Sequence, residues 1–220
     1  MTAGRDIALL LATLVVVAFT PINTDVSWRH MVQMGLVMGL AVAGPFFITR
    51  RLFKDQHIRF PFGFGRAWYK TEIFYVLLTA VLSYLLLPFY LGQGSYLNWS
   101  VQLDPSHTIR LFIGTNALGI WDELFFIGTV LALLRAHLPF IWANLIQATL
   151  FTTFLYELGF RGWGPCIIFF FTLSQGYIFS KRKSFLYIVT IHLTIDFVLF
   201  LTLIHLHHPQ YLRIFITSPF

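Results

Sequence analysis

Seven runs of mostly apolar residues, each long enough to cross a bilayer, dominate the chain: 6–22, 29–49, 71–92, 110–134, 138–159, 163–180 and 184–206. A spanning helix needs about 20 such residues. In hydrocarbon every backbone N–H and C=O has to bond within the protein, which leaves only helices and closed barrels. These runs are too long and too continuous for barrel strands. The expected fold is all-α: a polytopic transmembrane helix bundle of about seven spans, a single membrane domain over residues 1–220. Charged residues make up 11% of the chain, against about 25% in soluble domains. The first run has Arg5 ahead of an apolar core, as a signal peptide does. No small-residue cleavage pattern follows it, so it is expected to stay as a helix.

The basic residues set the expected orientation, because short basic loops stay on the cytoplasmic side. Arg50, Arg51, Lys54, Arg59, Arg66 and Lys70 lie between spans two and three, and Lys181, Arg182 and Lys183 between spans six and seven. If the spans alternate, Arg5 and Arg135 join them, making eleven against Arg29, Arg110, Arg161 and Arg213 on the other side. A cytoplasmic N-terminus follows, with 93–109 as an outer loop and 55–70 as a cytoplasmic surface segment. A bacterial inner membrane is the expected setting. The net charge of +6 is thus explained by topology, and nucleic acid is not an expected partner. Gly63-Phe64-Gly65 follows no strand and lacks a third glycine, so it is not read as a nucleotide loop. The single cysteine, Cys166, rules out an internal disulfide framework and any multi-cysteine metal site.

Chemistry is expected where charge interrupts the apolar runs. Four of the nine acids, Asp122, Glu123, Glu157 and Asp196, fall in hydrophobic segments. Ionisable groups at bilayer depth are costly and normally face a cavity or a partner. Asp122 and Glu123 are adjacent and point about 100° apart on a helix, which suits a general base working on water. The structural alternative is a pair bonded to Thr115, Asn116 or Trp121. His192 and Asp196 are four apart and share one helix face, so the carboxylate is placed to orient the imidazole; interhelical hydrogen bonding is the alternative. On the fifth span Asn144, Gln147, Phe151 and Leu155 share a face, with Tyr156, Glu157 and Arg161 just beyond. Glu157 and Arg161 have the spacing of a structural ion pair near the outer interface. His205, His207 and His208 are read as solvated residues at a helix end. No His-Glu-x-x-His occurs, and no metal or cofactor is expected.

Asp122-Glu123-Leu-Phe-Phe-Ile-Gly128 resembles the Glu-Glu-x-x-x-Arg signature of the CAAX-protease and bacteriocin-processing family. His192-x-x-x-Asp196 resembles that family's last motif, and Phe151-Thr-Thr-Phe-Leu155 occupies the place of its Phe-x-x-x-His. The resemblance covers about residues 110–200, the expected catalytic core. Asp122 stands for the first Glu, Ile127 for the Arg and Leu155 for the middle His. The resemblance implies an intramembrane peptidase acting on a membrane-anchored peptide or protein. Asp122 or Glu123 would activate water, His192 would be the acid or oxyanion donor, and Asp196 would orient it. Asn116, Asn144, Gln147, Tyr156, Glu157 and Arg161 are auxiliary or substrate-binding candidates, Arg161 as a stand-in for the missing Arg. The rival readings are an inactive relative serving as a membrane scaffold or immunity protein, and a proton-coupled transporter. No inverted repeat favours the last.

Overall fold

In the computed structural model, which describes residues 2–218, the chain forms seven long helices and no strand among the described residues. They are α1 Thr2–Ala18, α2 Trp28–Phe53, α3 Lys70–Leu91, α4 Pro105–Arg135, α5 Phe140–Glu157, α6 Gly164–Arg182 and α7 Phe185–His207. Four of them, α2, α3, α4 and α7, are long and apolar enough to cross a membrane. α4 and α7 are the most buried of these and pack on each other at the centre; α2 lies against α4, and α3 against α7.

Local chemistry sets the helix ends. α1 stops at Ala18, short of the expected 22, because Pro21 disfavours helical geometry in the residue before it. α4 starts at Pro105, earlier than the expected 110. Asp104 caps it by accepting from the His107 N–H at 2.9 Å, and proline suits a first helical turn. α5 ends at Glu157 because Gly159 turns the chain at φ +101°, tight against the Asn98 side chain.

The segment 55–70 lies at the surface as expected, with most of its residues exposed, but it is also a strap docked on the bundle. Its first helix-free stretch folds back under the bundle: Ile58 is fully buried, and the Phe60 ring packs on Phe46 and Phe185. The cause lies at the start of α7, whose first N–H groups have no intrahelical acceptor. Pro61 and Phe62 carbonyls accept from the Phe185 and Leu186 N–H groups at 2.9 and 3.1 Å, and Ser184 caps by accepting from Tyr187 N–H. The strap is pinned further where Arg66 donates to the Arg182 carbonyl and buried Glu72 pairs with Arg66 and Arg182 at 3.2 and 3.3 Å. Arg5, the strap and the 181–183 turn therefore gather at one end of the bundle.

Gly128 is the contact point between α4 and this strap. A Cβ there would lie 2.5 Å from the Phe60 ring and 2.9 Å from that of Phe185. Gly128→Ala is expected to destabilise the protein by about 1–3 kcal/mol, the usual range for overpacking. Gly44→Ala, with nothing within 4 Å, is expected to be neutral or mildly stabilising. Melting temperatures of the two variants in one detergent decide; equal shifts would refute the packing account.

Candidate active site

The acid doublet sits where α4 changes its winding. Pro105–Asp122 is α-helical and Glu123–Leu131 is a π-helical stretch. The Thr129 hydroxyl follows the wider winding and donates to the Leu124 carbonyl five residues back, at 3.2 Å. Such stretches recur at functional sites. Asp122 and Glu123 fall on either side of the junction and take different surroundings. Asp122 faces a cavity; Glu123 turns into the protein behind it.

The two candidate pairs meet. His192 on α7 holds a bond of 2.8 Å between Nδ1 and Glu123 Oε1, while its Nε2 lies 3.8 Å from Asp122 Oδ2 and 3.9 Å from Asp196 Oδ1. All four side chains are buried. Edge contacts from the Phe151 and Phe171 rings, with centroids 6.0 and 5.8 Å from the imidazole, restrict its rotation. Asp196 was expected to orient His192, but the orienting bond is the one from Glu123. At 3.9 Å Asp196 is beyond direct hydrogen-bond reach. Asp122 Oδ1, Glu123 Oε2 and Asp196 Oδ2 have no hydrogen-bond partner, so acceptor capacity is free around one imidazole.

Gln175, which sequence reasoning missed, completes the support. Its Nε2 donates to Glu123 Oε1 at 3.1 Å and to the Ile188 carbonyl at 3.2 Å. It therefore ties α6 to both α4 and α7. The only signal for it was an amide, next to Ser174, in a mostly apolar run.

The cavity has a volume of about 650 Å³. Asp122, His192 and Asp196 stand on its wall, which is otherwise almost entirely apolar. Met31, Met34 and Met38 of α2 form one side, and α3 and α6 form others. At the far end the loop 23–26 forms part of the lining. Asp25 there is held below the ordinary carboxylate range, chiefly by the Ser27 backbone N–H and then its hydroxyl. Leu155 and Phe151 also face the cavity, so apolar side chains stand at the position compared above with the middle histidine of the resembled family. Ile127, at the position of the Arg, is buried in the packing of α4.

Of the other candidates, Thr115 and Trp121 line the cavity and the rest lie outside it. Asn116 points away and donates to the Phe112 carbonyl at 2.8 Å. Thr115 bonds the Leu111 carbonyl, and the Trp121 indole N–H donates to the Met38 carbonyl of α2 at 2.8 Å. None of the three binds the acid doublet. Asn144 and Gln147 join α5 to α6, donating to the Leu173 and Thr172 carbonyls at 2.9 and 3.3 Å; they do not line the cavity. Tyr156, Glu157 and Arg161 are exposed at the opposite end of α5 from the strap. Glu157 and Arg161 form no ion pair, because the helix ends at Glu157 and four-residue spacing no longer places them together. Arg161 lies over the Tyr156 ring instead. Of the three C-terminal histidines only His205 is buried; His207 and His208 keep partial exposure. His205, His207 and His208 contact the Leu212, Tyr96 and Val101 carbonyls at 2.5, 3.2 and 3.0 Å and fasten the loops at that end.

A family model described as type II CAAX prenyl endopeptidase Rce1-like matches residues 105–198. The match runs from the start of α4 to the middle of α7 and so includes Asp122, Glu123, Gln175, His192 and Asp196. No curated protein and no solved structure matches the chain.

Proposed function

We propose, from the match of residues 105–198 to the Rce1-like family of type II CAAX prenyl endopeptidases, that this integral membrane protein is an intramembrane endopeptidase. It cleaves a membrane-anchored peptide or protein with water activated by a carboxylate. The observation that carries this reading is the cluster on the cavity wall: Asp122, His192 and Asp196 exposed to one apolar space, with Glu123 bonded to His192 from behind at 2.8 Å.

Asp122 is the base in this scheme, since it borders the cavity and keeps an unpartnered oxygen. Water loses a proton to Asp122 as its oxygen attacks the scissile carbonyl carbon. The His192 Nε2–H donates to the oxyanion. Glu123 fixes the imidazole by accepting from Nδ1–H and stabilises its charged form. The C–N bond then breaks, the proton held by Asp122 passes to the leaving amine, and the acyl product keeps the hydroxyl. Gln175 is a positioning residue acting through Glu123, and Asp196, 3.9 Å from Nε2, acts on the imidazole by charge rather than by a hydrogen bond.

Comparing protein termini in membranes carrying wild type with those carrying Asp122→Asn tests the reading. New termini in membrane-anchored proteins, present only with wild type, are expected. Identical sets of termini, with both proteins folded, would leave a scaffold or immunity role.

The proposed setting is a bacterial inner membrane with the strap end inside. In a Cys166→Ser background, Gln56→Cys is expected to react with an impermeant thiol reagent only after the membrane is opened. Gln102→Cys is expected to react in intact cells. The reverse pattern would invert the topology.

A further inference from the structure

A second cluster of ionisable groups lies at the strap end. Asp6 of α1 is 1% exposed. Its Oδ2 lies 2.8 Å from His137 Nε2 and 3.3 Å from His57 Nδ1. The same His57 nitrogen is 3.6 Å from Asp55 Oδ1, which also accepts from the His57 backbone N–H at 3.4 Å. Arg5 holds the outer edge through Asp55 Oδ2 at 2.9 Å, and its Nε is 3.7 Å from Asp6 Oδ1, which has no hydrogen-bond partner. One ligand atom each from Asp6, Asp55 and His57 falls within 4.8 Å of the others.

We propose that Asp6, Asp55 and His57 form a binding site for a divalent transition metal ion of the zinc type, with His137 bonded to Asp6 as its support. A tetrahedral ion with bonds of about 2.0–2.2 Å to nitrogen and oxygen separates its ligand atoms by roughly 3.3–3.6 Å. The His57 separations of 3.3 and 3.6 Å have that size. His137 holds the same Asp6 oxygen at 2.8 Å and orients it from outside the ligand set. An imidazole with two carboxylates, the fourth position left to water, suits Zn²⁺ and its neighbours better than Mg²⁺ or Ca²⁺. The charge agrees: two carboxylates against the single Arg5 guanidinium leave an excess of one negative charge. Asp55 and His57 are partly exposed, which gives an ion a way in, while Asp6 and the adjoining 80 Å³ recess lined by Leu10, Leu133 and Leu138 close the inner side.

The ligands come from two separate parts of the chain, α1 and the strap, and His137 ties them to the turn after α4, the helix that bears Asp122 and Glu123.

The test uses chelator-treated, tag-free full-length protein in detergent, with Zn²⁺ and Co²⁺ as probes. One equivalent of Zn²⁺ is expected to bind and raise the melting temperature, and Co²⁺ is expected to give the visible absorption of a tetrahedral site. Asp6→Asn and His137→Gln are expected to weaken Zn²⁺ binding at least about tenfold, as even loss of an outer support does. His205→Ala, at the other end of the bundle, is expected to leave it unchanged. His57→Gln, at the more exposed ligand, is the second variant should Asp6→Asn not fold. Absence of a Zn²⁺ shift and of Co²⁺ absorption would overturn the site and leave a histidine–carboxylate clamp. Undiminished binding in His137→Gln and His57→Gln would also overturn it.

Discussion

Asp122→Asn is expected to lower peptide-bond cleavage by about 100- to 10,000-fold, the range for loss of a general base. The amide keeps the shape of the carboxylate but cannot take a proton from water. Folding is expected to survive, because Asp122 makes no hydrogen bond that the amide would lose; its closest charged partner is His192 Nε2 at 3.8 Å. His192→Ala is expected to cost about 100- to 1000-fold through the lost oxyanion donor. It also leaves Glu123 with Gln175 as its remaining donor, so its melting temperature is expected to fall as well. Glu123→Gln separates orientation from proton transfer. The amide oxygen still accepts from Nδ1–H but carries no charge to stabilise an imidazolium, so the turnover number falls while substrate binding holds. Purified variants in proteoliposomes with a membrane-anchored substrate would show these differences. Wild-type rates in both Asp122→Asn and His192→Ala, at unchanged stability, would eliminate the peptidase reading.

The bundle was legible in the sequence because hydrocarbon imposes a length and a composition that a reader can count. The seven runs correspond to seven helices. Capping chemistry moved their ends, and some of it was already readable: Asp104-Pro105 is a start signal and Pro21 a stop. The docking of the strap was not legible. Pro61 and Phe62 bond through their carbonyls, and no side chain in 54–69 announces that two α7 N–H groups 120 residues on lack acceptors.

The meeting of Asp122–Glu123 with His192–Asp196 followed from cost, since buried charges need each other in a membrane. Which carboxylate orients the imidazole did not follow. Four-residue spacing favoured Asp196, but the π-helical winding after Asp122 brings Glu123 to Nδ1 from another helix. Periodicity assumes uniform winding and misjudges direction where the winding changes. The same assumption failed at Glu157 and Arg161, where it extended a helix that Gly159 had ended. Gln175 stayed unnoticed because a glutamine in a mostly apolar run names no partner, and its partner Glu123 is 52 residues away.

Gly119→Ala is expected to impair the site from the side, without touching an ionisable residue. α4 and α7 approach so closely here that a Cβ would overlap the Asp196 carboxylate Oδ2 and lie 3.0 Å from both its carboxyl carbon and the His192 ring. Asp196 is too short to yield by bending at its tip. It has to change rotamer, or the two central helices have to part, and parting them loosens the 2.8 Å bond from His192 to Glu123. Overpacking of this kind costs about 1–3 kcal/mol. A misplacement near 1 Å at a reacting centre can cost about 100-fold in rate. Cleavage in Gly119→Ala is therefore expected to fall by about 10- to 100-fold, with a modest drop in melting temperature. Gly114→Ala is the control on the same helix and the same cavity: its nearest neighbours would lie at 3.7 and 3.9 Å, ordinary contact, and its rate is expected to stay near wild type. Should Gly119→Ala cleave as fast as Gly114→Ala, the close approach of α4 and α7 has no part in holding His192 and Asp196 at the cavity wall.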